Sequence, residues 1–120
     1  VIVPTFGVSD VRRAVAFYTE ILDFSLAYLM TPEQPFYAVL AREADELHLS
    51  LATNREPGGQ SAIVVCENVD RLFAYFMARG LKPSERTDSP VHMGPLDQTW
   101  GAREVYIDDP DGNTLCYQQR

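Results

Sequence analysis

The chain is predicted to be an α+β protein: tandem βαβββ modules forming curved mixed sheets around a cleft, with the helices on the outer faces. Three observations predict it. Sliding the sequence over itself puts Asp10 on Asn68, Val11 on Val69, Arg13 on Arg71, Ala16 on Ala74 and Phe17 on Tyr75, so a unit of about sixty residues occurs twice. Each copy reads as a strand, one amphipathic helix and further strands. A single helix covers one face of a four-stranded sheet, so the other face is either buried elsewhere or left concave for a ligand.

The first copy opens on an apolar, extended run from Val1 to Val8. Ser9-Asp10 then offers a helix cap, and Val11, Ala14, Val15, Tyr18 and Leu22 recur at three- and four-residue spacing, which predicts an amphipathic helix over 11–22. Strands follow at Ser25–Leu29, Phe36–Leu40 and Glu46–Ala52, separated by the turn-forming runs 31–35 and 42–45. The segment 54–60 is polar and glycine-rich, as a linker should be. In the second copy Ser61–Cys66 is a strand, Asn68 a cap, and Val69, Leu72, Phe73, Phe76 and Met77 the apolar stripe of a helix that Gly80 stops. A strand is expected over Leu81–Glu85. The irregular stretch Arg86–Trp100 is expected to be a loop at a ligand mouth or a dimer edge. Strands at Arg103–Ile107 and Asn113–Gln118 flank the Asp109-Pro110-Asp111-Gly112 turn, which lacks the ligand spacing of a calcium loop. The expected organisation is one domain over 1–120, with module one at 1–53, the linker at 54–60 and module two at 61–120.

Composition narrows the function classes. The chain has 120 residues, 46% of them hydrophobic, which is enough for one core but not for two independent ones. Ten Lys+Arg against seventeen Asp+Glu give a net charge of -7, a surface that repels nucleic acid and that either favours a cationic small ligand or only keeps the chain soluble. No apolar run reaches the roughly eighteen residues of a membrane span, and no leader is evident, so a cytoplasmic protein without membrane association is expected. Cys66 and Cys116 sit in strand-like apolar text and read as buried free thiols of a reducing compartment.

Val8-Ser9-Asp10, the run Ala16–Phe24, the strand Glu46-Leu47-His48-Leu49, and Trp100-Gly101 followed by Arg103–Asn113 together resemble the glyoxalase/bleomycin resistance/dioxygenase family, the vicinal oxygen chelate superfamily. The resemblance covers essentially the whole chain. It implies one divalent metal held by His, Glu or Gln on the first and last strands of each half. In this sequence those positions fall at Val3, Ser50, Ser61 and Cys116, and none is such a ligand. His48 lies two residues before Ser50 on the same sheet face; it reads as a metal ligand in a shifted register, a pocket-lining hydrogen bonder or an ordinary satisfied histidine.

The metal-free members of the family imply a cofactor-free homodimer that holds a bulky aromatic or cationic antibiotic in grooves between chains, for resistance or self-protection. The alternatives are a metal-dependent lyase, isomerase or ring-cleaving dioxygenase, and a carrier of a biosynthetic intermediate. No catalytic residue is assigned, because nothing supplies Cys116 with a general base. The expected ligand-binding residues are Tyr37, His48, Ser50, Ser61, Ile63, Trp100, Arg103, Glu104, Tyr106 and Cys116. Alternation turns His48 and Ser50, Ser61 and Ile63, and Cys116 toward the cleft. Trp100 reads as a ring closing over a ligand or as a plug in the dimer interface. Glu104 reads as an anion for a cationic ligand or as a salt-bridge partner.

Overall fold

A computed structural model describes residues 1–82 and 84–120. Strand β1 is Thr5–Val8, and its last three residues are buried. The expected strand thus begins only at Thr5, and Val1 and Ile2 stand exposed ahead of it. Asp10 caps α1 (Val11–Ala16) by accepting the Arg13 N–H at 3.1 Å. Asn68 caps α2 (Val69–Ala78) in the same way through Arg71 N–H at 3.0 Å, so the internal repeat is visible down to its caps.

The first helix is not the uninterrupted α-helix that the spacing predicts. After Ala16 it widens into a π-turn over Phe17–Ile21, where Tyr18 is buried. The second helix ends as expected at Gly80, whose φ of +109° lets Leu81 N–H return to Phe76 C=O at 3.0 Å.

The remaining strands are β2 (Ser25–Met30), β3 (Tyr37–Arg42), β4 (Asp45–Leu51), β5 (Ser61–Val65), β6 (Leu96–Asp97), β7 (Arg103–Asp108) and β8 (Thr114–Gln119). They form two four-stranded mixed sheets, ordered β1-β4-β3-β2 and β5-β8-β7-β6. In each sheet the first strand runs parallel to the last, Thr5 beside His48 and Ile63 beside Cys116, and the other pairs are antiparallel. This is the βαβββ topology twice. The expected strand over 81–85 is not formed at Leu81, Lys82, Ser84 or Glu85, and Pro83 lies outside the described residues. A proline within a five-residue run removes a ladder donor, and the fourth sheet position goes instead to β6, drawn from the stretch read as loop.

The alternation holds. Leu47 and Leu49 of β4, and Leu115 and Tyr117 of β8, point toward the helices and join Phe6, Val8, Tyr18, Leu22, Leu40, Val69, Phe76 and Val105 in one apolar cluster that spans both modules. Burying a side chain of this size contributes about 1.5–3 kcal/mol. The opposite sheet faces carry His48 and Ser50 in module one and Ile63, Tyr106 and Cys116 in module two.

Polar contacts lock the modules together around the Asp109–Asn113 turn. Asp109 Oδ1 accepts the backbone N–H groups of Asp111 and Asn113 at 2.9 Å, and its Oδ2 accepts the Tyr18 hydroxyl of module one at 2.8 Å. Asn113 Nδ2 donates to Gly7 C=O at 2.9 Å, and Gln60 Oε1 accepts Gly7 N–H at 2.6 Å. The acidic turn is therefore a structural latch. Burial, and then the Asp109 carboxylate, push the Tyr18 pKa far above its ordinary value.

Candidate functional site

The inner face of the second sheet is hollowed into a cavity of about 610 Å³. Its walls are Ser61 and Ile63 from β5, Glu104, Tyr106 and Asp108 from β7, and Cys116 and Gln118 from β8, with Arg86, His92 and Trp100 at the rim. All these residues belong to module two. A second cavity of about 590 Å³ lies on the outer side, between Arg42–Asp45 and α2. Its walls mix acids and bases, and it lacks the convergent aromatic groups of the inner face, so the inner cavity is the candidate site.

Glu104 dominates the chemistry of the cavity. It is 2% exposed. Its Oε2 accepts the Trp100 indole N–H at 3.3 Å and a short bond from the Gln118 amide. Its Oε1 has no hydrogen-bond partner. Burial pushes the neighbouring Cys116 thiol up to about 12, and the Glu104 charge and a hydrogen bond from the thiol to that carboxylate add to the shift. Such a thiol is protonated at neutral pH and serves as a wall rather than a nucleophile.

The rim is a satisfied polar network. Asp108 receives Thr114 Oγ1 at 2.6 Å and Arg86 Nη1 at 3.3 Å, and it contacts His92 Nε2 at 3.2 Å. The other ring nitrogen of His92 meets Ser89 Oγ at 2.7 Å, and its ring stands edge-on to Tyr106, with centroids 5.4 Å apart. Trp100 projects beside this network, 63% exposed.

Of the ten sequence-predicted residues, the cavity gathers Ser61, Ile63, Trp100, Glu104, Tyr106 and Cys116. Tyr37, His48 and Ser50 lie on the inner face of the other sheet. There the Tyr37 hydroxyl meets His48 Nδ1 at 2.6 Å, and His48 Nε2 meets Glu46 Oε2 at 2.5 Å. Both ring nitrogens of His48 are thus engaged within the chain. Arg103 points the other way. β7 alternation sends it to the helix side, where it pairs with Asp70 at 2.9 Å and with Asp97 at 3.1 Å. Strand parity already places Gln118 on the pocket face with Cys116, and the cavity includes it. Arg86, His92 and Asp108 are cavity residues that the sequence reading does not name; Asp108 shares strand parity with Glu104, whereas Arg86 and His92 come from an irregular stretch with no period to read.

The donor set does not fit a divalent metal. Ser50 and Ser61 offer weak hydroxyls, Val3 offers nothing, and Cys116 with Glu104 falls short of three ligands. Among the described residues no group of three or more His, Cys, Asp or Glu side chains is placed to hold a metal ion.

These features agree with what the chain is similar to. Residues 3–117 match the model of the Glyoxalase/Bleomycin resistance protein/Dioxygenase superfamily, and the chain belongs to that family. A bleomycin resistance protein of Geobacillus stearothermophilus is 24% identical over 131 aligned positions, covering 98% of this chain and 95% of its own. Among solved structures, the bleomycin resistance determinant of transposon Tn5 superposes with a TM-score of 0.81 at 20% identity, covering 100% of this chain and 97% of that one. A bleomycin-binding protein solved with bleomycin superposes at 0.80 and 19% identity, covering 100% and 98%. At these identities the structural likeness speaks for the fold.

Proposed function

We propose that this protein binds and sequesters a bulky aromatic or cationic antibiotic without altering it, giving resistance or self-protection. One observation carries the reading: a concave cavity with aromatic side chains and a buried carboxylate stands where the family's metal ligands are missing. Trp100 and Tyr106 offer surfaces for ring stacking, and Ser61 and Cys116 leave room for a large guest. A non-catalytic role is the leaning that Cys116 supports, since a thiol held protonated is a poor nucleophile.

The working unit of this reading is a homodimer. The cavity is lined by module two alone, while Tyr28, Tyr37, His48 and Ser50 present an inner face without a counterpart in their own chain. Tyr28 is 54% exposed, and Ile63 and Val65 of the other face are 58% and 56% exposed, a quantity of open apolar surface that a second copy would cover. The module-one face of one chain then closes the module-two cavity of its partner. Among the described residues no helix is long and apolar enough to cross a membrane. Both cysteines are free thiols, and the reading sets the protein in a reducing, cytoplasmic compartment.

The test is a fluorescence titration of Trp100, the single tryptophan, with a panel of antibiotics including bleomycin. The protein is first analysed for metal, and the antibiotic is recovered and weighed by mass spectrometry afterwards. Saturable quenching by an unchanged antibiotic in metal-free protein is expected. A chemically altered antibiotic, or one equivalent of tightly retained metal with no antibiotic bound, would show an enzyme instead.

A further inference from the structure

The carboxylate of Glu104 is incompletely satisfied in a position where that is costly. It is 2% exposed, Oε1 has no N–H or O–H partner among the described residues, the neighbouring Cys116 thiol offers the carboxylate only a weak S–H donor, and no lysine or arginine among those residues reaches either oxygen. The one arginine on the cavity wall, Arg86, is held by Asp108 at the rim. Arg120 donates at 2.7 Å to the Oε1 of Gln118, not to the carboxylate. A buried carboxylate without a cation is destabilising, and the penalty is relieved by a partner that brings both charge and N–H donors.

Trp100 is the group that such a partner would displace. Its indole N–H reaches Glu104 Oε2 at 3.3 Å, beyond the 2.7–3.2 Å range of well-formed N–H···O bonds. The residue is 63% exposed, so few contacts hold the ring. Gly101 follows it at φ +88°, and a Cβ there would meet nothing within 4 Å, so open space adjoins the backbone that carries the indole. The second donor, Gln118, is buried and tied to Arg120, and it stays in place.

We propose that Glu104 anchors a hydrogen-bond-donating cation, an ammonium, amidinium or guanidinium carried next to the ligand's aromatic system, and that Trp100 releases the carboxylate to admit it. This rests on the ligand-binding reading above and narrows it to one class of guest. The weak indole bond is exchanged for a charge-assisted one, and the freed indole is left to stack on the adjoining ring. A quaternary ammonium supplies charge without a donor, and a neutral amide supplies a donor without charge. Neither supplies the carboxylate with both charge and donor.

Three congeners of one scaffold test this: 1-naphthylmethylammonium, its N,N,N-trimethyl analogue and its neutral N-acetyl analogue, each titrated by calorimetry against the unaltered protein and Glu104→Gln. The primary ammonium is expected to bind roughly ten- to a hundredfold more tightly than either analogue, the worth of a hydrogen bond to a charged group, and to lose that margin in Glu104→Gln. The ranking in the unaltered protein stands even if the variant folds poorly. Trp100→Phe keeps a ring but removes the competing N–H, so its affinity for the primary ammonium should equal or exceed that of the unaltered protein. A loss there confined to the ammonium congener overturns the exchange. Equal affinity for all three congeners, or no change in Glu104→Gln, overturns the anchor and leaves an aromatic-binding cavity standing. Silence toward all three congeners and toward the antibiotic panel overturns the anchor and the sequestration reading together.

Discussion

Tyr18 shows how one residue joins the two halves. It sits in the π-turn of the first helix, yet its hydrogen bond is made to Asp109 in the second module. With Tyr117, whose pKa is likewise raised by burial, it links stability to alkaline pH. Both phenols keep their protons in the folded chain at a pH where the unfolded chain has begun to release them. Their contribution is therefore fully present below the ordinary tyrosine value of about 10 and is lost as pH rises above it. Urea unfolding followed from pH 8 to 11 should show stability falling above about pH 10, with a shallower fall in Tyr18→Phe. That variant should also be about 1–2 kcal/mol less stable at pH 7, because Asp109 loses a buried donor. A pH slope identical to that of the unaltered protein would detach Tyr18 from this linkage. Tyr18 itself was legible in the sequence as a residue of the helical stripe. Its partner was not, because ninety intervening residues separate the two side chains and no local pattern spans that distance.

Among the elements, the linker before β5 is shaped by what it passes. Gly58 adopts φ +87°, and a Cβ placed there would lie 2.0 Å from Asp111 C=O, in the same turn that receives Tyr18. Gly59 has φ +76° but nothing within 4 Å of its missing Cβ. Gly59→Ala should therefore cost only the backbone term, about 1 kcal/mol, whereas Gly58→Ala should cost at least about 2 kcal/mol more by driving the linker off the latch. Comparing the two urea midpoints checks this, and equal losses would mean that the close approach to Asp111 carries no weight. The sequence identified this segment as a polar linker from its composition, but adjacent glycines read alike in text. The second module shows the same limit at β6. Its two residues, Leu96 and Asp97, are too few to carry a period, and they pair with Glu104 and Arg103 only because the rest of the sheet is already built.

At the scale of the whole molecule, the two concave faces are the feature that a single chain leaves unresolved. If the groove is formed by the cavity of one copy and the module-one face of another, damage to either face should be complemented across a dimer. Trp100→Ala and a double Tyr37→Ala, His48→Ala variant should each bind an antibiotic weakly. Mixing them under conditions of subunit exchange should restore tight binding in part, since some mixed dimers keep one intact groove. Sedimentation over a range of concentrations would establish the dimer, and calorimetry on the mixture would read the restored sites. A monomer at all concentrations, or mixing without recovery, would place the complete site within one chain.

The sequence by itself determined the two βαβββ modules, their caps, the inward and outward parity of β4, β5 and β8, and the absence of a family metal set. Those properties reside in periods of two and about 3.6 residues and in residue identities, and a linear string records them fully. Tertiary structure decided that Arg103 faces the helix and is taken by Asp70, that His48 is occupied by Tyr37 and Glu46, and that Glu104 is sealed with one oxygen unpaired. Each of these outcomes is a competition for partners in space. A side chain's type says what it can bond, but only the packed fold says which bonds remain unmade.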